Sequence, residues 1–238
     1  MPHLFVNRVR LHNLTGDDRN LRRQFRWETI NAVVYKLGGL LFIAGSVLFF
    51  PAFGAFADLG VWIFFAGSLL YLLVTGHDAL EVRRARRAGQ MDTLDGRLEI
   101  VAAWAYFTGT VLFTVGSIFF LSTVGLMHAG AWCFVIGSLL FVLGACINVL
   151  QIVKARSLIS LQLMNLTAVT FVVGSVLFTV ASVPYLWTVA DQRLHRTLLA
   201  FLAAQYLVGS VLFLAGGVFN YWRAYQTVSE EIAKREAE

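Results

Sequence analysis

Charge, cysteine and proline are all scarce in this chain, and each shortage removes a class of protein. Asp, Glu, Lys and Arg make up 14% of the 238 residues, against about 25% in ordinary soluble domains, so a solvated globular surface is not what the sequence encodes. The only two cysteines, Cys133 and Cys146, lie 13 residues apart in one apolar run. On a helix that separates them by roughly 20 Å, too far for a disulfide, and they read as small apolar fillers. With three prolines there is no polyproline segment. The period-two alternation of a transmembrane strand is absent. So are a phosphate loop, a nucleophile elbow and a dinucleotide fingerprint. His, Cys, Asp and Glu show no zinc spacing. Of five histidines only His77 falls within an apolar run, near its end, whereas haem between two helices needs paired axial ligands. No catalytic, cofactor-binding or metal-ligating residue is assigned, and neither enzymatic activity nor a cofactor is expected.

What is abundant is apolar surface. Hydrophobic residues reach 58% and mean hydropathy is +0.70. Six apolar stretches run at about 30–50, 60–80, 100–121, 130–152, 162–183 and 198–221, each near the roughly 20 residues that cross a hydrocarbon core. Backbone amides in lipid must be satisfied within the segment, so these read as helices. The expected fold is therefore an all-α polytopic membrane protein with six transmembrane helices. The first helix lacks a small-residue cleavage site and reads as retained rather than as a signal peptide.

The charges that remain are placed asymmetrically. Sixteen of the nineteen Lys and Arg fall in the N-terminal segment, the 83–97 loop, the 154–156 loop or the C-terminal tail, while the opposite loops carry only Arg193 and Arg196. That is the positive-inside pattern, and it predicts both termini in the cytoplasm. The net charge of +5 is accounted for this way, without nucleic acid. The clusters at Arg22, Arg23 and Arg26 and at Arg83, Arg84, Arg86 and Arg87 are suited to anionic lipid headgroups. Trp27 and Trp222 on the inner side, with Trp62, Trp132 and Trp187 on the outer side, suit interfacial belts. Trp104 reads as core. The two Asn-x-Thr motifs, at Asn13 and Asn165, fall on the cytoplasmic side or in a helix and are discounted as glycosylation sites.

One motif recurs six times: an aromatic, two residues, Gly, a small residue, and a second aromatic four places after the Gly. The glycines are Gly38, Gly67, Gly109, Gly137, Gly174 and Gly209. The preceding aromatics are Tyr35, Phe64, Tyr106, Phe134, Phe171 and Tyr206, and the following ones Phe42, Tyr71, Phe113, Phe141, Phe178 and Phe213. Seven places after the Gly the residue is again small in five copies: Gly45, Gly116, Gly144, Ala181 and Gly216, with Val74 the exception. On a helix these small residues form one stripe with the rings about 40–60° to its side, which reads as a helix contact by close backbone approach. The copies pair into three tandem helical hairpins, parallel repeats of about 70 residues, for which a pseudo-threefold arrangement is the simplest. The layout is 1–25 basic cytoplasmic segment, 26–96, 97–159 and 160–223 hairpins, and 224–238 charged cytoplasmic tail. If Gly45 faces Gly67 and Gly116 faces Gly137, extension to the inner ends sets Glu28 against Arg84 and Glu99 against Lys154.

The first hairpin, from Phe25-Arg26-Trp27-Glu28 through Gly38, Gly45-Ser46, Gly60, Trp62 and Gly67-Ser68, resembles the YrhK-like family of small membrane domains. The second repeats it with Arg97, Glu99, Gly116-Ser117, Trp132 and Gly137-Ser138. The third departs, with Gln162 and Met164 for Arg and Glu, Ala181 for Gly and Ala204 for Trp. The resemblance implies a two-helix hairpin unit and the inner, plasma membrane of a prokaryote. It carries no activity over.

Specific chemistry would have to sit where the copies differ. Eleven places after the motif Gly, about 20° from it on the stripe, the even helices carry Asp78, Asn148 and Asn220 and the odd ones Phe49, Phe120 and Tyr185. The polar trio reads either as interhelical hydrogen bonding or interfacial anchoring, or as a ring at a pore mouth or ion site. Lys36, unique to the first helix, either snorkels inward or reaches Asp78 or Glu81; a substrate lysine is the third reading. Ser46, Ser117 and Ser182 are hydroxyls that a pore could use. The favoured reading is a non-enzymatic structural or interaction module, with lipid as partner and homo-oligomerisation as one mode of action. The alternative is a channel or transporter for ions or small neutral solutes between the hairpins.

Overall fold

The computed structural model describes residues 18–89, 91–150 and 158–237. These residues form six long helices and no strand: α1 (Asp18–Leu48), α2 (Ala57–Arg87), α3 (Leu94–Phe119), α4 (Met127–Leu150), α5 (Leu158–Ser182) and α6 (Gln192–Ala237). Each contains a stretch long and apolar enough to cross a membrane, so the chain is a multi-pass membrane protein by length and composition. The connections follow local chemistry. Pro51 and Pro184 each open a 3₁₀ turn, Pro51–Phe56 and Val183–Leu186. Gly89 leaves α2 in the left-handed region at φ +70°, where a Cβ would be strained. Thr93 Oγ1 caps α3 by accepting the Gly96 N–H at 3.2 Å.

Each helix packs on its sequence neighbours, and α6 packs back on α1, closing the six into a ring. All twelve motif aromatics face inward and are buried. The outward faces expose Leu37, Leu40, Leu73, Leu139, Leu143 and Val169, a surface suited to lipid rather than water. Trp27, Trp62, Trp132, Trp187 and Trp222 are exposed, with Trp27 and Trp222 near the ends of the apolar spans Arg26–Leu48 and Gln192–Gln226. Trp104, expected in the core, is 42% exposed and stands edge-on to Phe107 at 5.6 Å. It lies five residues before Gly109, about 140° away from the packing stripe, and that angle turns it outward.

The helix register differs from the sequence expectation by two turns. Motif glycine meets motif glycine: a Cβ built on Gly38 would lie 3.2 Å from the Gly67 carbonyl oxygen, and one on Gly67 would lie 3.0 Å from that of Gly38. Gly109 and Gly137 repeat this at 2.8 and 3.0 Å, and Gly174 and Gly209 at 3.2 and 3.3 Å. Gly45 faces Gly60, not Gly67, and Gly116 faces Gly130, not Gly137. The rings decide between the two registers. The aromatic four places after each glycine lies over the partner helix's motif glycine: Phe141 over Gly109, Phe113 over Gly137, Tyr71 over Gly38, Phe178 over Gly209. Each missing Cβ therefore admits both a backbone and a ring, which is dispersion contact that lipid cannot match. Gly144 and Gly216 are used differently, admitting the Tyr106 ring and the Thr170 hydroxyl.

Small hydroxyl residues on the stripe are consumed locally. Ser68, Thr110, Ser138, Ser175 and Ser210 each donate to the carbonyl of the motif aromatic four residues back, at 2.6–3.0 Å. Ser46, Ser117 and Ser182 do the same, so their hydroxyl protons are turned along the helix rather than toward a water path.

Candidate functional sites at the two ends of the ring

At the end of the ring where α1 starts and α6 finishes, the polar trio is buried. Asp78, Asn148 and Asn220 are 6%, 2% and 0% exposed. Asn148 Nδ2 donates to the Tyr106 hydroxyl at 2.9 Å across α3 and α4. The Arg223 guanidinium donates to Asn220 Oδ1 at 2.9 Å. Around them lie groups that sequence reasoning placed elsewhere: Glu28, Glu99 and Arg223 are all buried as well. The charge of Glu28 on α1 acts on Arg223 on α6. The Thr29 and Tyr221 hydroxyls, 3.2 Å apart, join the same two helices, and Asn31 meets His77 at 3.2 Å between α1 and α2.

The expected pair Glu28–Arg84 does not form. The register shift sets Glu28 level with His77 and Asp78, while Arg84 is exposed in the last turn of α2. Glu99 is likewise level with Ile147 and Asn148, and its expected partner Lys154 lies outside the described residues. Lys36 takes neither of its anticipated carboxylates. Its Nζ sits 4.7 Å over the Tyr221 ring, a cation–π contact that adds to the α1–α6 seam. Among the described residues no group of three or more His, Cys, Asp and Glu could hold a metal ion.

Midway along the axis the six rings that follow the motif glycines, Phe42, Tyr71, Phe113, Phe141, Phe178 and Phe213, meet around a void of about 10 Å³. Phe113 contacts Phe141 at 5.3 Å and Phe178 at 5.7 Å, and Phe178 contacts Phe213 at 5.3 Å. A void of that size holds one water at most. The axis is closed there by aromatic carbon.

Beyond this plug, at the end away from the start of α1, the ring opens into a vestibule of about 170 Å³. Its floor is a triangle of Phe64, Phe134 and Tyr206, with centroids 5.7, 6.3 and 6.3 Å apart. Its wall is Phe49, Phe120 and Tyr185. These are one motif position from each even helix and one from each odd helix, so the site repeats with the chain. The wall residues occupy the same motif position that is Asp78, Asn148 and Asn220 at the other end. One position thus makes an aromatic mouth on the odd helices and a polar layer on the even ones. Asp58 stands at the rim, its carboxylate accepting the Ser122 N–H at 3.0 Å and the Ser122 hydroxyl.

Two of the missed features were within reach of the angular argument. Glu28 and Glu99 lie ten residues before their motif glycines, at nearly the angle of the buried aromatics, and Arg223 lies fourteen after, on the stripe. Arg223 was hidden by being counted with the basic tail. The vestibule needed the ring closure, which no single helix encodes.

The YrhK-like protein family model matches the chain twice, over residues 25–82 and 96–153. No curated protein and no solved structure matches it. The matched stretches are α1–α2 and α3–α4. The third pair lies outside the match, as the substitutions at Gln162, Met164, Ala181 and Ala204 suggest, but keeps the glycine crossing. Over those two stretches the chain is similar to the YrhK-like family, as two tandem copies of its unit.

Proposed function

We propose that this protein is a non-enzymatic scaffold of the prokaryotic inner membrane, three tandem helical hairpins in pseudo-threefold arrangement with both termini in the cytoplasm. The observation that carries the reading is the closed axis: six rings meet around a void of about 10 Å³, and the stripe hydroxyls bond their own helices. A body packed this way offers surfaces rather than a path. Its exposed Arg83, Arg84, Arg86 and Arg87 at the end of α2 suit anionic lipid headgroups on the cytoplasmic face, and its lipid-facing apolar ring suits association with another copy.

Transport is the second reading, favoured by the polar layer and the vestibule lying on opposite sides of the plug. The two separate in liposomes. Purified protein reconstituted with a panel of ions and small neutral solutes is expected to give no flux above empty vesicles. Flux that Asp78→Ala abolishes, in a variant with an unchanged unfolding temperature, would replace the scaffold with a channel.

A further inference from the structure

The vestibule has a chemistry of its own that a scaffold does not use. Six aromatic rings line it, and among the described residues around it Asp58 is the only charged one. Aromatic faces carry negative potential and apolar carbon together, which suits a cation whose charge is spread over methyl groups rather than a hydrated metal ion. The rings are held in place. The floor triangle is buried, Tyr206 Oη lies 2.7 Å from Ser182 Oγ, and Phe120 packs edge-on to Tyr185 at 5.4 Å. Asp58 is fixed by its two bonds from Ser122, so its negative charge stays at the rim without side-chain reorganisation on binding.

We propose that this vestibule is a binding site for a quaternary ammonium group, with Phe49, Phe64, Phe120, Phe134, Tyr185 and Tyr206 as the aromatic cage and Asp58 as the counter-charge. A neutral apolar ligand would gain the burial but neither the quadrupole attraction nor the carboxylate. A primary amine would lose more hydration on entry than the cage returns. The ammonium group is carried either by a free solute or by a lipid headgroup.

Calorimetric titration in maltoside micelles, which contain no ammonium group, tests the assignment with three probes: choline, tetramethylammonium and the neutral choline isostere 3,3-dimethylbutan-1-ol. Saturable binding of both cations is expected, with the neutral isostere about tenfold weaker or worse. Asp58→Asn at the rim and Tyr185→Leu in the wall are expected to weaken choline several-fold in variants that keep a cooperative unfolding transition, and Asp58→Asn to leave both the unfolding temperature and the isostere unaffected. Equal binding of choline and the isostere would overturn the proposal in favour of a merely apolar pocket. So would absence of choline binding to folded wild-type protein. Repeating the titration in phosphatidylcholine and phosphatidylglycerol nanodiscs identifies the carrier: choline binding suppressed only in phosphatidylcholine supports a headgroup ligand, and binding preserved in both supports a free solute. A failure here leaves the flux experiment and the scaffold reading untouched.

Discussion

The twelve rings and six glycines act as reciprocal parts, and at this scale a single methyl group is decisive. A Cβ on Gly109 would lie 2.8 Å from the Gly137 carbonyl oxygen and 2.8 Å from the Phe141 ring, neither of which is a loose end that can swing away. Gly109→Ala is therefore expected to cost about 1–3 kcal/mol through overpacking. Gly76, on the same protein but off the stripe, would put its Cβ 3.6 Å from Phe107, an ordinary contact. Gly76→Ala is expected to leave stability unchanged or raise it, since alanine holds a helix better than glycine. Thermal unfolding in detergent reads both, and equal unfolding temperatures for Gly109→Ala and wild type would refute the crossing as described. The motif was legible because it repeats at helical period. Glu28, Glu99 and Arg223 lie at angles that face the bundle, but their burial depends on which helix closes over them, and for Glu28 and Arg223 that information lies almost 200 residues away in the chain.

Between elements, what had to be fixed was register, and the sequence pattern alone was degenerate. Helices α1 and α3 present small residues at two rows seven apart, so a slide of two turns still sets small against small. The tie is broken by bulk: only one alignment puts each ring over a partner glycine. A native cysteine makes this testable. A Cβ on Gly116 would lie 2.8 Å from the Cβ of Cys133, within reach of disulfide geometry after slight relaxation, whereas the alternative register sets Gly116 against Gly137, about a turn farther along. Gly116→Cys in a Cys146→Ser background is expected to lose both free thiols on mild oxidation and to run faster on a non-reducing gel as monomer. Gly109→Cys in the same background is expected to keep its thiols. Retention of both thiols in the Gly116→Cys protein under oxidant would restore the discarded register.

For the molecule as a whole, the seam between α1 and α6 matters most, because it joins the two ends of the chain and turns a row of helices into a ring with a closed axis and a vestibule. It is also the junction least supported by sequence proximity. Tyr35 carries it: the ring is 0% exposed, stacks on Tyr71 at 4.4 Å, donates its hydroxyl to the Phe213 carbonyl at 2.9 Å, and lies directly against Gly217 where a Cβ would stand. Ser46 and Ser210, 3.3 Å apart, and the Glu28–Arg223 attraction add to the same junction above and below. If the seam is a fitted contact, its two sides must compensate. Gly217→Ala drives a methyl into the Tyr35 ring and is expected to lower stability by about 1–3 kcal/mol. Tyr35→Leu leaves a void and removes the hydroxyl's bond to a carbonyl that keeps its helical partner, at a cost of about 2–4 kcal/mol. The double variant gives the new methyl the room that the ring vacated, so its loss should fall short of the sum by about 0.5–3 kcal/mol. Strict additivity in equilibrium unfolding would mean that the two residues do not touch, and with that contact would go the closed ring on which the plugged axis and the aromatic vestibule both depend.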